Sequence, residues 1–182
     1  MIIAIVGEKR CGKDTAYALL KELLGDNWER IGLADEIKAI TSDVLKIPLA
    51  DLEILKNKET PILGNGITAR HVLQNLGQRL KLNFGKELWC DLAHNKMVKG
   101  RNYVITDIRY PFELEYFKMC EEVISIRVVR DTGLEKDTHS SETSSKDIPV
   151  DYTVDNNGTK NDLMGKLTDV ANSLTGKKEC NS

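Results

Sequence analysis

The sequence predicts an α/β fold: a five-stranded, mainly parallel sheet with helices on both faces. Three observations point there. An apolar run, Ile2 to Val6, leads through a glycine loop into an amphipathic segment, Ala16 to Leu24. Further candidate strands at 28–34, 102–107, 123–129 and 151–155 are separated by stretches with helical periodicity. Strands alternating with helices favour parallel pairing, because a parallel connection needs a crossover long enough to hold a helix.

The first turn carries the most chemistry. Gly7-Glu8-Lys9-Arg10-Cys11-Gly12-Lys13-Asp14-Thr15 fits the phosphate-binding pattern G-x-x-x-x-G-K-[ST] in all but its last place. Glycines let the backbone wrap closely, amides at a helix N-terminus point at an anion, and a lysine reaches the outer phosphates. Asp14 stands where a hydroxyl would usually meet Mg²⁺, and Thr15 follows one place later. Either residue is then a candidate for the metal.

Trp28 to Ala34 reads as a second strand, and from Asp35 a helix places Ile37, Ile40, Val44 and Leu45 on one face. Asp35 suits an N-cap and equally suits a ligand cleft at a strand end. Pro48, Pro61, Gly64 and Gly66 predict loops and short helices outside the sheet. Thr68 caps a helix with Ala69, Val72, Leu73, Leu76 and Leu80 at helical spacing, decorated by Arg70, Gln74, Arg79 and Lys81. Phe84-Gly85-Lys86 ends it, and another helix runs from Glu87 to about Val98. The stretch 47–98 exceeds a minimal crossover, which predicts a helical region able to close over a substrate.

Asn102 to Asp107 is a strand ending in an acid, the place for a second magnesium-organising carboxylate or for a simple loop cap. Pro111 to Cys120 reads as a helix and Val123 to Val129 as a buried strand ending at Arg130. Residues 131–146 are almost wholly polar, either a surface loop or a lid. His139 within them has no partner at ligand spacing. Asp151 to Asp155 is a last strand, and Asn156-Asn157-Gly158 turns into a helix burying Leu163, Leu167, Val170 and Leu174. Gly176 to Ser182 reads as a frayed polar tail.

The chain of 182 residues suits one domain, 1–182. Lys+Arg 26 against Asp+Glu 28 leaves a net charge of −2, so no overall basic field favours a nucleic-acid polymer. Cys11, Cys90, Cys120 and Cys180 lie far apart without a C-x-x-C pair, which fits neither a zinc site nor a disulfide scaffold. With no run of transmembrane length and no signal-like leader, the expectation is a soluble protein of the reducing cytoplasm.

Six stretches taken together resemble the bacteriophage deoxynucleoside monophosphate kinase family. They are Gly7 to Thr15, Leu33-Ala34-Asp35-Glu36-Ile37-Lys38, Thr68 to Gly77, Thr106-Asp107-Ile108-Arg109-Tyr110-Pro111-Phe112-Glu113, Asp137-Thr138-His139-Ser140-Ser141-Glu142 and Asp155-Asn156-Asn157-Gly158. They occur in the family's order and span nearly the whole chain. The resemblance implies an adenylate-kinase-like P-loop fold with an acceptor-binding region at 47–98 and a lid at 131–146. It implies transfer of the ATP γ-phosphate to a deoxynucleoside 5′-monophosphate, giving the diphosphate for DNA precursor synthesis, in the host cytoplasm if the gene is a phage's.

By position, the resemblance assigns Gly7, Gly12, Lys13, Asp14 and Thr15 to the phosphates of ATP and to Mg²⁺; Arg10 of the same loop is a further candidate for the phosphates, and Asp107, from its place at a strand end, for the metal. Arg70 and Arg109 would grip the acceptor phosphate, with Asp35 also on the substrate side. Gln74 and Trp89 would line the base pocket, Arg130 and Glu142 would belong to the lid, and Asn157-Gly158 would lie beside the adenine. The implied partner is a small molecule, with no polymer and no membrane; a homodimer stays open. The chain departs from the family pattern at Tyr110-Pro111-Phe112-Glu113, where Phe-Pro-Asn-Glu is common, and at Cys11, often serine, which predicts sensitivity to thiol reagents.

Two other readings compete. Gly-Lys-Asp also resembles the loop of kinases for other phosphorylated metabolites, such as phosphomevalonate. Thr159-Lys160-Asn161-Asp162 matches the guanine-reading tetrad of GTPase switches, although no Asp-x-x-Gly lies between the loop and Asp107 and the tetrad sits where a helix begins.

Overall fold

The computed structural model describes residues 1–58, 60–131, 133 and 145–179. These divide into two compact units, Met1–Ile31 with Met97–Ser182, and Gly32–Lys96. The expected lid falls largely outside the described residues, and so do His139, Glu142 and Cys180.

The first unit holds the sheet. Its strands are β1 (Ile2–Val6), β2 (Trp28–Ile31), β3 (Asn102–Ile108), β4 (Val123–Val129) and β5 (Tyr152–Asp155), in the order β2-β3-β1-β4-β5. Every pairing is parallel, so the expected mainly parallel sheet is wholly so. Helices α1 (Lys13–Leu24) and α7 (Lys160–Glu179) pack on each other, and α6 (Pro111–Cys120) packs on β4.

All five residues of β1 are buried, as expected of a central strand covered on both sides. Ile3 and Ile5 join Leu19 and Leu20 of α1 and Leu163, Leu167, Val170 and Leu174 of α7 in one apolar cluster, the face predicted for that last helix. Ile2, Ala4 and Val6 point the other way, and Leu114 and Phe117 of α6 are buried with them outside that cluster. The last helix runs on to Glu179, so the expected frayed tail is helical through its first residues.

The chain steps outward from β1 to β2, returns to β3 beside β1, then crosses to β4 and β5. The order therefore reverses at β1, and the crevice at the carboxyl end of such a strand is where open α/β sheets bind ligands. The glycine loop starts there.

The second unit is helical: α2 (Asp35–Leu45), α3 (Leu49–Lys58), α4 (Ala69–Phe84) and α5 (Leu88–His94). Thr68 caps α4 as predicted, its side chain accepting from His71 N at 3.2 Å. Gly85 ends α4 with φ +106. The last helix of the unit is shorter than expected, stopping at His94. The predicted apolar stripe of α2 is not all buried, for Ile40 is 37% and Val44 73% exposed. Lys38 and Lys56 both pair with Glu53, the former at 2.7 Å. Burial pushes the Glu53 carboxyl up, yet the hydrogen bonds and charges of the two lysines outweigh it and hold the group below its usual range.

Candidate functional site

Because the sheet is parallel, the carboxyl ends of its strands share one edge of the first unit. That edge carries the glycine loop after β1, Asp107 and Arg109 at the end of β3, Arg130 after β4, and Asn156, Asn157 and Gly158 after β5. Sequence reading expected this gathering.

The loop is held by close backbone approaches. A Cβ on Gly7 would lie 2.6 Å from the carbonyl oxygen of Val128, so only glycine lets the loop pass β4 here. Gly12 sits at φ +100 and begins α1. Arg10 takes φ +63, a left-handed conformation that costs a non-glycine residue about 1–2 kcal/mol. Strain of this kind persists where the surroundings impose it. The Lys13 ammonium folds back across the loop and donates to the carbonyls of Gly7 at 2.8 Å and Glu8 at 2.7 Å. Asp14 and Thr15 are exposed in the first turn of α1.

Cys11 corrects an expectation. The residue is 1% exposed, and burial pushes its thiol up, with the Lys13 charge opposing. A buried thiol with a raised pKa is a poor nucleophile, so the predicted sensitivity to thiol reagents has no basis at this position.

Asp107 stands beside an irregularity. Residue pairs run Ile3 with Val104 and Ala4 with Ile105, but Val6 pairs with Ile108, so β3 carries one extra residue over this step. Such a bulge re-aims side chains at a strand end. Thr106, buried within it, accepts from Arg30 Nε at 3.2 Å. The next turn is fixed by Glu113, whose buried carboxylate accepts from Arg109 N at 2.8 Å and Tyr110 N at 3.1 Å. Glu113 thus sets the backbone from which the exposed Arg109 side chain departs.

The turn after β5 is equally held. Asn156 is buried, and its Nδ2 donates to the Cys11 carbonyl at 2.8 Å. Asn157 Oδ1 accepts from Asp131 N at 2.7 Å. Thr159 and Asp162 exchange hydrogen bonds across the start of α7: Asp162 Oδ2 accepts from Thr159 N at 2.7 Å and from its hydroxyl at 2.8 Å. Those bonds hold the Asp162 carboxyl below its usual range. The apparent guanine-reading tetrad is therefore a helix cap, with the oxygen that would read a base already committed.

Lys146 pairs with Glu8 of the loop at 2.7 Å. Arg127 donates to the carbonyls of Ser145, at 3.3 Å, and Ile148. The carboxyl end of the expected lid is thereby fastened to the loop and to β4, a link that spacing alone does not reveal.

In the second unit Arg70 is half-buried on the first turn of α4, its Nη2 donating to the Lys56 carbonyl at 3.3 Å. Gln74 lies one turn on and is exposed. Asp35 is the first residue of α2 and not the expected N-cap; that place falls to Ala34, which makes no side-chain cap bond, and the Asp35 Oδ2 instead accepts from Gly32 N in the preceding turn at 2.9 Å. Trp89, expected in a base pocket, is a core residue, 4% exposed, with its indole N–H on the Gly77 carbonyl at 3.1 Å.

Among the described residues no group of three or more His, Cys, Asp or Glu is arranged to hold a metal. Mg²⁺ needs no such cage, since it usually takes one or two protein ligands and completes its shell with substrate phosphates and water. No described helix is long and apolar enough to cross a membrane.

An all-parallel sheet with a lysine-closed glycine loop at its switch point is the architecture of a P-loop kinase-like domain. Residues 46–167 match the family model described as deoxynucleotide monophosphate kinase, which is well over half of the 182-residue chain. The chain belongs to the deoxynucleotide monophosphate kinase family, and its activity class is that of a kinase acting on a small molecule. The match begins beyond the glycine loop, so motif and geometry alone carry the reading of residues 7–15. Comparison with curated proteins finds no match.

Proposed function

We propose that the protein transfers the γ-phosphate of ATP to a deoxynucleoside 5′-monophosphate, releasing ADP and the deoxynucleoside diphosphate. The loop carries this reading: a close-wrapped backbone at a helix N-terminus with the Lys13 ammonium drawn across it. Gly7, Arg10, Gly12, Lys13, Asp14 and Thr15 receive the polyphosphate, and Asn157 and Gly158 border the adenine. Arg70 and Arg109 bind the acceptor phosphate, with Asp35 and Gln74 on the acceptor side. Arg130 adds positive charge at the strand edge.

An oxygen of the acceptor phosphate attacks the γ-phosphorus while the bond to the β,γ-bridging oxygen breaks. No catalytic base is needed, since a phosphate monoester is already largely ionised at neutral pH. The protein's contribution is alignment, together with neutralising charge by Lys13, Arg70, Arg109 and Arg130. Asp14, Thr15 and Asp107 are the residues that would hold Mg²⁺, which when bound supplies further charge neutralisation on the phosphates.

The test is a coupled ADP-release assay with ATP, Mg²⁺ and each of dAMP, dGMP, dCMP, dTMP and their ribose counterparts. Turnover with at least one deoxy acceptor supports the proposal and defines its base range. Silence with all of them, alongside measurable ATP binding, would transfer the reading to a kinase of another phosphorylated metabolite.

A further inference from the structure

We infer that Asn156 is a positioning residue for the phosphate loop: it fixes the direction of the Gly12 amide and so sets the loop's affinity for polyphosphate. The inference rests on the phosphate-loop reading proposed above. Asn156 is 6% exposed, and its main chain is tied to the end of β4 by a bond from its N–H to the Val129 carbonyl at 2.7 Å. From that fixed base its side-chain amide donates to the Cys11 carbonyl at 2.8 Å.

The Cys11 carbonyl and the Gly12 N–H belong to one peptide unit and point in opposite directions, because the unit is planar and trans. Holding the carbonyl toward Asn156 therefore turns the Gly12 N–H away from it. That N–H has no acceptor among the described residues, which leaves it available at the start of α1, where an anion is favoured. Glycine is loosely restrained on its own, so without the tie this peptide is free to rotate. The two positions also require each other sterically: a Cβ on Gly12 would lie 2.2 Å from Asn156 Nδ2. An apolar residue of the same size would fill the space without orienting the carbonyl.

The experiment measures sodium tripolyphosphate binding by calorimetry for the full chain, Asn156→Asp, Asn156→Ser and the control Ser125→Ala, with circular dichroism to verify folding. Asn156→Asp keeps the shape and removes the donor; Asn156→Ser removes it without adding charge. Ser125→Ala deletes buried bonds to Asp151 within the same sheet and touches no loop residue. Both Asn156 variants should bind about tenfold more weakly, and their KM for ATP should rise while that for the monophosphate holds. Ser125→Ala should melt earlier with unchanged affinity. Parent-like affinity in a folded Asn156 variant, or an equal loss in Ser125→Ala, would overturn the inference alone. An unaltered chain that fails to bind tripolyphosphate would overturn the phosphate-loop reading with it.

Discussion

The indole N–H of Trp89 donates to the carbonyl of Gly77 at 3.1 Å inside the second unit, joining α5 to the middle of α4. Gly77 also lacks a side chain where one would collide: a Cβ there would meet Ile37 Cδ1 at 3.0 Å, so the bare backbone lets α2 approach α4. Trp89→Phe keeps most of the apolar bulk and removes the indole donor, while the Gly77 carbonyl keeps its helical bond inside α4, so the loss should be about 0.5–1.5 kcal/mol in urea unfolding. The KM for the monophosphate should stay near the parent value. A raised KM with unchanged stability would restore Trp89 to the base pocket.

Lys13 donates to the loop's own carbonyls, so its ammonium lies across the loop. Lys13→Ala should lower kcat at least about a hundredfold, the order seen when a preorganised charge facing the transferred group is removed. Rapid single-turnover kinetics would separate this from weakened binding. Activity within a few-fold of the parent would remove Lys13 from the chemistry.

The parts legible in the sequence were those written in local pattern. Ile2 to Val6 is a continuous apolar run, which a sheet covered on both faces accommodates, and Val123 to Val129 is apolar but for Ser125 and Arg127; the observed strands match both. Thr68 and Gly85 punctuate α4 where capping chemistry places them. Periodicity was weaker in α2, because it shows which residues share a face without showing what covers that face; Val44 lies on the apolar stripe and is 73% exposed. The bonds that set the candidate site were not legible at all. Asn156 reaches Cys11 across 145 positions, and Lys146 reaches Glu8, so no local window contains either pair. The extra residue in β3 likewise emerges only from its pairing with β1.

Cys11 and Cys120 give a direct contrast. The first is buried with its thiol pushed up by burial, and the second is exposed. Iodoacetamide under native conditions should alkylate Cys120 at least about tenfold faster than Cys11, since thiolate fraction and access both limit the reaction. Peptide mass spectrometry over a time course reads this directly. Equal rates would mean that the loop opens far more readily than its hydrogen bonds imply.

Arg70 projects from the first turn of α4, where its backbone is fixed by the Thr68 cap and its guanidinium by the Lys56 carbonyl. A fork of this kind recognises phosphate by paired charge-assisted bonds. Arg70→Ala should raise the KM for the monophosphate about tenfold or more and leave the KM for ATP within about twofold. Arg70→Lys should recover part of the loss. An effect confined to ATP would move Arg70 to the donor side.

Asp162 caps α7 through Thr159, and the bonds it accepts hold its pKa below the ordinary aspartate value of 3.8. A carboxylate whose pKa is lower folded than unfolded stabilises the fold above the unfolded value, and the contribution is lost as pH falls through the folded one. Asp162→Ala should therefore lower Tm at pH 7, and the gap to the parent should narrow steadily once the pH drops below about 4, closing when both states are protonated. Melts in a common low-salt buffer series test the sign. A gap that is the same at neutral and acid pH would show that the hydrogen-bonded shape, not the ionised carboxylate, supports the helix start. A gap that widens on acidification would reverse the assignment of Asp162 as a cap that works in its charged form.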